Sequence, residues 1–351
     1  MQGFIDSKES AMPKARPAAS RKVSLAAARL EWSHRQGLLV PLEGNVPSIL
    51  QRTGWIRTLG GSDVYIACLA RQAGFSFSEM NTAVIGRDVQ VLPSVRNCIY
   101  LVPRSDAFLA LAVAEEQWRP RTTRELEKAG SDWKEVESAA AAALEVLKKS
   151  PQTPDGIRRA LPKDAIRSLG VMGKKVGISS VLPIALRLLE FEHRIQRSLP
   201  DGRLDSEKYV WEATTNSGPN LELRAAAERT VLLARRFFEF AAPATLDHFS
   251  EWAGISKKDA GAAVAVSGLV PVDIEGLEDT FFGSSEPVSL SAPTRRPVFL
   301  PFEDNLTALH GGPGLLSDPE HHAIPVPAWG SSKLSTLGQG AHMTARPVAI
   351  D

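Results

Sequence analysis

The feature that most constrains this chain is an order of segments that recurs three times: short helical stretches, then two β-rich runs joined by a turn. The recurrence has no fixed sequence period, so it is architectural repetition and not a solenoid. In the first pass, residues 24–37 read as a helix that Ser24 caps and Gly37 ends. Residues 46–53 follow with Pro47 in the first turn, then a nearly all-apolar helix at 62–73 and a short one at 78–86. The runs 89–92 and 98–102, closed by Pro103, form the hairpin. The second pass predicts helices at 154–160 and 163–169, a long helix from Ser179 or Ser180 through Arg197, and a strand at 208–212. The third predicts helices at 221–241, 246–252 and 257–266, and a hairpin over 269–274 and 277–282. Residues 105–116 and 121–149 connect the first two sets as helices.

Helices followed by a small hairpin are the outline of a winged helix. The expected fold is therefore mainly α with small β-hairpins, arranged as tandem winged helix-turn-helix modules. The units are a disordered basic arm at 1–22, modules at 23–104, 151–215 and 216–285, and a helical connector at 105–150. A β-containing, partly irregular segment at 286–351 is expected to be a shortened C-terminal piece.

Composition narrows the class. With 351 residues, 43% apolar and 23% charged, the chain can build two or three cores. It has no apolar run of membrane-spanning length and no secretion signal at its start, which predicts a cytoplasmic protein with no membrane partner, nucleoid-associated where it is bound to DNA. Cys68 and Cys98 give neither a zinc signature nor a disulfide framework and read as buried thiols. The net charge of +1 says little, but its distribution says more: residues 1–104 carry a surplus of six basic groups, and 211–351 a deficit of seven. Residues 151–200 hold nine Lys/Arg against four Asp/Glu. A polyanion would meet the first two thirds of the chain, which points to double-stranded DNA, intact or damaged, as the partner.

A winged helix places one helix in the major groove and its wing on the backbone. Lys174 and Lys175, in a turn flanked by Gly173 and Gly177, together with Arg187, Arg194 and Arg203, are the candidate DNA contacts of the second module. The third module has an acidic wing (Asp273, Glu275, Glu278, Asp279) and reads as scaffold. In the first, Gly60-Gly61 opens a helix where Asp63 serves either as a cap or as a carboxylate that positions a water. His310, His321 and His322 lie near Glu303, Asp304 and Asp318, but their spacing matches no helical ligand pattern. They read as structural or solvated, so neither metal nor cofactor is expected. The chain also contains no P-loop, G-x-S-x-G or H-E-x-x-H motif.

Four stretches carry a resemblance: 25–37 with 50–71, ending in Leu69-Ala70-Arg71; Arg96-Asn97-Cys98-Ile99-Tyr100-Leu101-Val102-Pro103; Ala242-Pro243-Ala244-Thr245-Leu246-Asp247-His248-Phe249 leading to Trp252-Ala253-Gly254; and Phe299-Leu300-Pro301-Phe302-Glu303-Asp304-Asn305. In this order they resemble the winged-helix crosslink-repair DNA glycosylases, which remove alkylated bases. The resemblance implies a Gln-x-Gln or Gln-x-Asp motif that holds the attacking water. Counting back from Arg71, those positions are Arg57, Thr58 and Leu59. Leu59 cannot hold a water, and Arg57 is a permanent cation without an acceptor. The motif is thus degenerate, and Arg57, Arg71 and Arg96 are expected as DNA contacts. The leading expectation is a DNA-binding protein of this group without its hydrolysis. An active glycosylase with Asp63 as the substitute, and a transcription regulator or protein-interaction module, are the alternatives.

Overall fold

Many helix starts among the described residues carry side-chain caps. In the computed structural model the structure describes residues 20–58, 61–162, 165–206, 208–214, 225–286, 288–289, 298–301, 303–309, 316 and 346–348. A short strand β1 (Arg21–Val23) leads into α1 (Leu25–Arg35), where the Ser24 hydroxyl accepts the Ala27 N–H at 3.2 Å. α2 (Val46–Thr53) starts at Asn45, whose side chain accepts the Ser48 N–H. After β2 (Ile56–Arg57) and α3 (Asp63–Arg71), α4 (Phe77–Ile85) starts at Ser76 in the same way. β3 (Val89–Pro93) and β4 (Ile99–Pro103) form the expected hairpin, and β2 pairs with the free side of β4 to give a three-stranded sheet.

The connector is one long helix and a second shorter one. α5 (Ala107–Ala129) runs through Pro120, where the sequence suggests a break. Proline removes one intrahelical hydrogen bond, but Ala110, Leu111, Ala114, Thr122 and Leu126 are buried on both sides of it and hold the helix together. α6 (Trp133–Leu147) is capped by Asp132, and α7 (Pro154–Ala160) by Thr153.

Two helix expectations in the second set are corrected. Residues 165–169 are not helical, because the Leu169 N–H is bound to the Ser179 carbonyl at 3.0 Å; the helix is α8 (Gly170–Lys175) instead. Lys163 lies outside the described residues. The long helix expected through Arg197 ends early as α9 (Leu182–Phe191). His193 takes φ 55°, a left-handed conformation that ends a helix, and Arg194 donates its N–H back to the Leu189 carbonyl. The chain re-enters as β5 (Ile195–Ser198), which pairs antiparallel with β6 (Val210–Ala213).

In the third set, the expected start at 221–224 lies outside the described residues, and α10 covers Ala226–Ala241. β7 (Ala244–Thr245), α11 (Leu246–Ala253), α12 (Lys257–Ala265), β8 (Val270–Ile274) and β9 (Phe281–Gly283) follow. β1 joins this sheet in parallel with β8, so Arg21 and Lys22, expected in a disordered arm, are in a strand; residues 1–19 lie outside the described set. β10 (Val298–Leu300) precedes α13 (Asn305–Leu309) and pairs with β11 (Arg346–Val348). Among the described residues the fold is mainly α, with four small sheets. None of their helices is long and apolar enough to cross a membrane.

The central core is aromatic. Phe237 on α10 has the rings of Phe238, Phe240, Phe249 and Trp252 between 5.1 and 5.6 Å away. Trp55 lies 5.8 Å from Trp252, and its indole N–H donates to Asp106 at 2.8 Å. Gly54 makes this approach feasible: its φ is 87°, and a Cβ there would sit 2.8 Å from the Phe240 ring.

A second tie joins distant parts of the chain. Arg71 is fully buried, not a DNA contact as expected from the sequence; its guanidinium donates to Asp304 at 2.7 Å, to Gln36 at 2.9 Å and to the Ala67 carbonyl. A buried guanidinium needs such partners because desolvation penalises an unpaired charge. Cys68, one turn before it, is buried and its thiol is pushed up to about 12 by desolvation.

Two stability predictions follow from these contacts. Asp304→Ala leaves Arg71 buried without its carboxylate and lowers unfolding free energy by about 3–5 kcal/mol in a urea titration. Gly54→Ala combines a left-handed backbone with a ring clash and costs on the order of 2–4 kcal/mol by the same measurement.

Candidate functional site

The segment around α13 ties three walls together through consecutive residues. Asp304 holds Arg71 and accepts the Leu306 N–H at 2.9 Å, starting α13. Asn305 donates to the Thr53 and Trp55 carbonyls at 3.1 and 3.0 Å, gripping the chain just ahead of β2. Glu303 forms an ion pair with Arg57 on β2. These contacts bound a cleft of about 360 Å³, within the range of small-molecule sites. Arg57, Arg96 and Tyr100 line one side; His248, Glu251 and Trp252 come from α11; and 303–309 closes the remainder.

The backbone places Arg96 in an uncommon conformation. Arg96 and Asn97 both have φ 56°, in the tight turn between β3 and β4. The Arg96 N–H donates to Gln117 Oε1 at 2.7 Å, and Gln117 Nε2 donates to the Ala253 carbonyl at 2.7 Å. One side chain thus fixes the turn against both α5 and the end of α11. Non-glycine residues held at positive φ are found where surrounding structure over-determines them. The outcome is a guanidinium turned toward the cleft, with Nη2 3.5 Å from the Tyr100 hydroxyl.

His248 occupies the third helical position of α11. Its backbone N–H donates to Thr245 Oγ1 at 3.0 Å, and its Nδ1 accepts the Thr245 N–H at 3.4 Å, a reciprocal capping box. Because Nδ1 accepts, the neutral ring carries its proton on Nε2. Burial pushes the His248 pKa below the ordinary histidine value, against the opposing pull of Glu251, Asp279 and Asp247. The cleft therefore contains two guanidinium groups, two carboxylates and a neutral imidazole, so its charge is close to balanced. Glu251 has no ion pair among the described residues.

The structure places Arg57 and Arg96 of the expected contacts in this cleft, and leaves the others elsewhere. Thr58 donates its N–H to the Ile99 carbonyl, while Leu59 lies outside the described residues. Asp63 is the first residue of α3; burial raises its pKa, and it does not line the cleft. Lys174 and Lys175 are exposed on the last turn of α8, not in a loop. Arg194 is half-exposed beside Glu192, and exposed Arg203 pairs with Asp205 at 2.8 Å. Arg187 is mostly buried against Glu190. His310, His321, His322 and Asp318 lie outside the described residues, and no cluster of three or more potential metal ligands occurs among those that are described.

Sequence reasoning missed Tyr100, His248, Glu251 and Trp252 as cleft residues. One signal was available: a histidine three residues after a capping threonine has its ring directed back at the helix start, so its position is fixed by local structure.

Comparison with known proteins yields one family and one structure. The family model for AlkZ-like DNA glycosylases matches residues 53–327. Among solved structures, the Streptomyces sahachiroi DNA glycosylase AlkZ is similar, with TM-score 0.62, 18% identity, and coverage of 86% of this chain and 81% of that one. No curated protein sequence matches the chain.

The lowered pKa of His248 has a consequence for stability. Unfolded, the imidazole takes up a proton below about 6.5; folded, it resists protonation until a lower pH. Its contribution is complete above the unfolded pKa and is lost as pH falls from there toward the folded value. The thermal midpoint should drop between pH 7 and pH 5, and His248→Asn, which retains an acceptor for the cap, should flatten that drop.

Proposed function

The chain belongs to the AlkZ-like DNA glycosylase family, and on that footing we propose that it binds DNA across the Arg57–Arg96 cleft without the hydrolysis that the implied Gln-x-Gln or Gln-x-Asp motif would perform. The Arg57–Glu303 ion pair carries this reading. The glutamines implied for the family would hold and polarise a water beside the sugar. Arg57 has no acceptor for that water, and its charge opposes a developing oxocarbenium ion. Glu303 neutralises Arg57, but in doing so it commits its Oε2 to the guanidinium. A phosphate competing for Arg57 and Arg96 would meet donors already oriented by β2 and the Arg96 turn.

The three helix-and-hairpin sets support the same proposal as winged-helix modules that lay a duplex along one side of the molecule. Exposed Lys174 and Lys175 belong to the second set and are proposed as backbone contacts. A protein working on DNA would act at the nucleoid, and we propose a cytoplasmic, nucleoid-associated location.

Glu251 favours a second reading. A carboxylate lining the cleft with no ion pair among the described residues is able to accept a proton from water. In that case base release persists with Glu251, not Asp63, as the water-positioning group.

Binding to a fluorescent duplex with and without an alkylated base, across a salt series, while free base is followed, tests both readings. The expected result is affinity that falls linearly with log salt and no base release. Arg57→Ala with Arg96→Ala should reduce the log–log slope by about 2. Base release that disappears in Glu251→Gln moves the assignment to the second reading. Absence of salt-dependent binding overturns both.

A further inference from the structure

A second cavity, of about 340 Å³, lies between α7, the start of α9 and the β5–β6 hairpin, away from the residues of the cleft. Its lining includes Arg158, Arg187, Arg197 and Trp211. The hairpin register puts Arg197 directly across from Trp211, and the Arg197 guanidinium lies 5.1 Å from the Trp211 ring centre and 5.2 Å from that of Tyr209. Arg187 and Arg197 share a single carboxylate, Glu190, which is 1% exposed. With Arg158 and Asp155 also on the wall, three guanidinium groups face two carboxylates.

Hydrogen-bond bookkeeping separates this pocket from a closed structural network. The Trp211 indole N–H is buried, with the residue only 4% exposed, and has no acceptor among the described residues. Arg187 Nη1 and Arg197 Nε are ion-paired with Glu190 oxygens at 3.2 Å without a well-aligned hydrogen bond, which leaves Glu190 Oε1 unsatisfied too, while Arg197 Nη2 donates to Glu190 Oε2 at 3.2 Å. Indole and guanidinium groups are donors only. The Trp211 donor, left over beside two guanidinium groups that share one carboxylate, calls for an anionic acceptor, since an unsatisfied buried donor is costly. α9 also opens at the cavity with no side-chain cap on its first turn, and a helix start favours negative charge.

We propose that this cavity binds a phosphate group, held by Arg187, Arg197 and the Trp211 N–H. The phosphate comes either from a DNA backbone running past the second module or from a free phosphorylated small molecule. The proposal stands apart from the DNA reading of the cleft, since its donors belong to different elements.

Phosphorus-31 NMR of the full chain, titrated with inorganic phosphate at ionic strength held constant with sodium chloride, is the test. Saturable broadening of the phosphate line is expected, with affinity weakened about tenfold or more in Arg187→Gln and in Trp211→Phe. Trp211→Phe keeps the ring beneath Arg197 and removes only the donor, so it remains informative where Arg187→Gln does not fold. Competition by an unmodified duplex assigns the site to backbone phosphate; competition by a nucleoside monophosphate alone assigns it to a small molecule. Phosphate binding in a chain that fails to bind DNA removes the cleft reading and leaves this one. No saturable binding above chloride, or binding that Trp211→Phe leaves unchanged, overturns the proposal.

Discussion

The buried ion pair between Arg71 and Asp304 is the interaction on which the arrangement of the cleft depends. It joins the end of α3 to the start of α13 across more than two hundred residues of chain, with Gln36 as a third partner. Each member would be costly to bury alone, so neither segment can leave without exposing or stranding a charge. Asp304 also starts α13, and its two neighbours reach the chain around β2. Formation of the pair thus brings Glu303 to Arg57 and Asn305 to the carbonyls of Thr53 and Trp55 in one step. Fold and cleft share the same three consecutive residues.

What the cleft offers chemically is set by that registry. Arg57 and Glu303 satisfy each other, Arg96 is held by a strained turn and Gln117, and His248 is held neutral by burial and its cap. On the proposed reading, a phosphate would displace Glu303 from Arg57 and would meet Arg96 already fixed by its turn. On the same reading, Arg57 stands where stabilising a cationic transition state would call for an acceptor. The aromatic core behind it, from Trp55 through Trp252 to Phe237, gives the walls a rigid support.

The basic second set shows how misleading charge counts are before side chains are placed. Of its cationic residues, Arg187 and Arg197 turn inward around Glu190, and Arg194 sits beside Glu192. Lys174 and Lys175 remain exposed, beside the exposed apolar side chains of Val171 and Met172. The inward pair creates a donor-rich cavity that no linear count of Lys and Arg could separate from a solvated surface.

Many helix starts and two hairpins were legible in the residues alone. Caps at Ser24, Asn45, Ser76, Asp132, Thr153, Thr245 and Ser256 act within one helical turn, and the β-rich runs at β3–β4 and β8–β9 pair between adjacent strands. The sequence also located Arg57 and Arg96 as residues of interest, through their place in family-like stretches. The tertiary structure decided what those short-range rules cannot reach. It ended α9 at Phe191 through a left-handed His193, carried α5 through Pro120 by burial on both sides, and drew β1 into a sheet with β8. It decided too that Arg71 is a core ion pair, while Arg57 faces a cleft. Both are arginines following apolar residues, and their roles diverge only because Asp304 and Glu303 arrive from the far end of the chain. Desolvation and long-range pairing depend on where the chain returns, and a one-dimensional pattern does not contain that information.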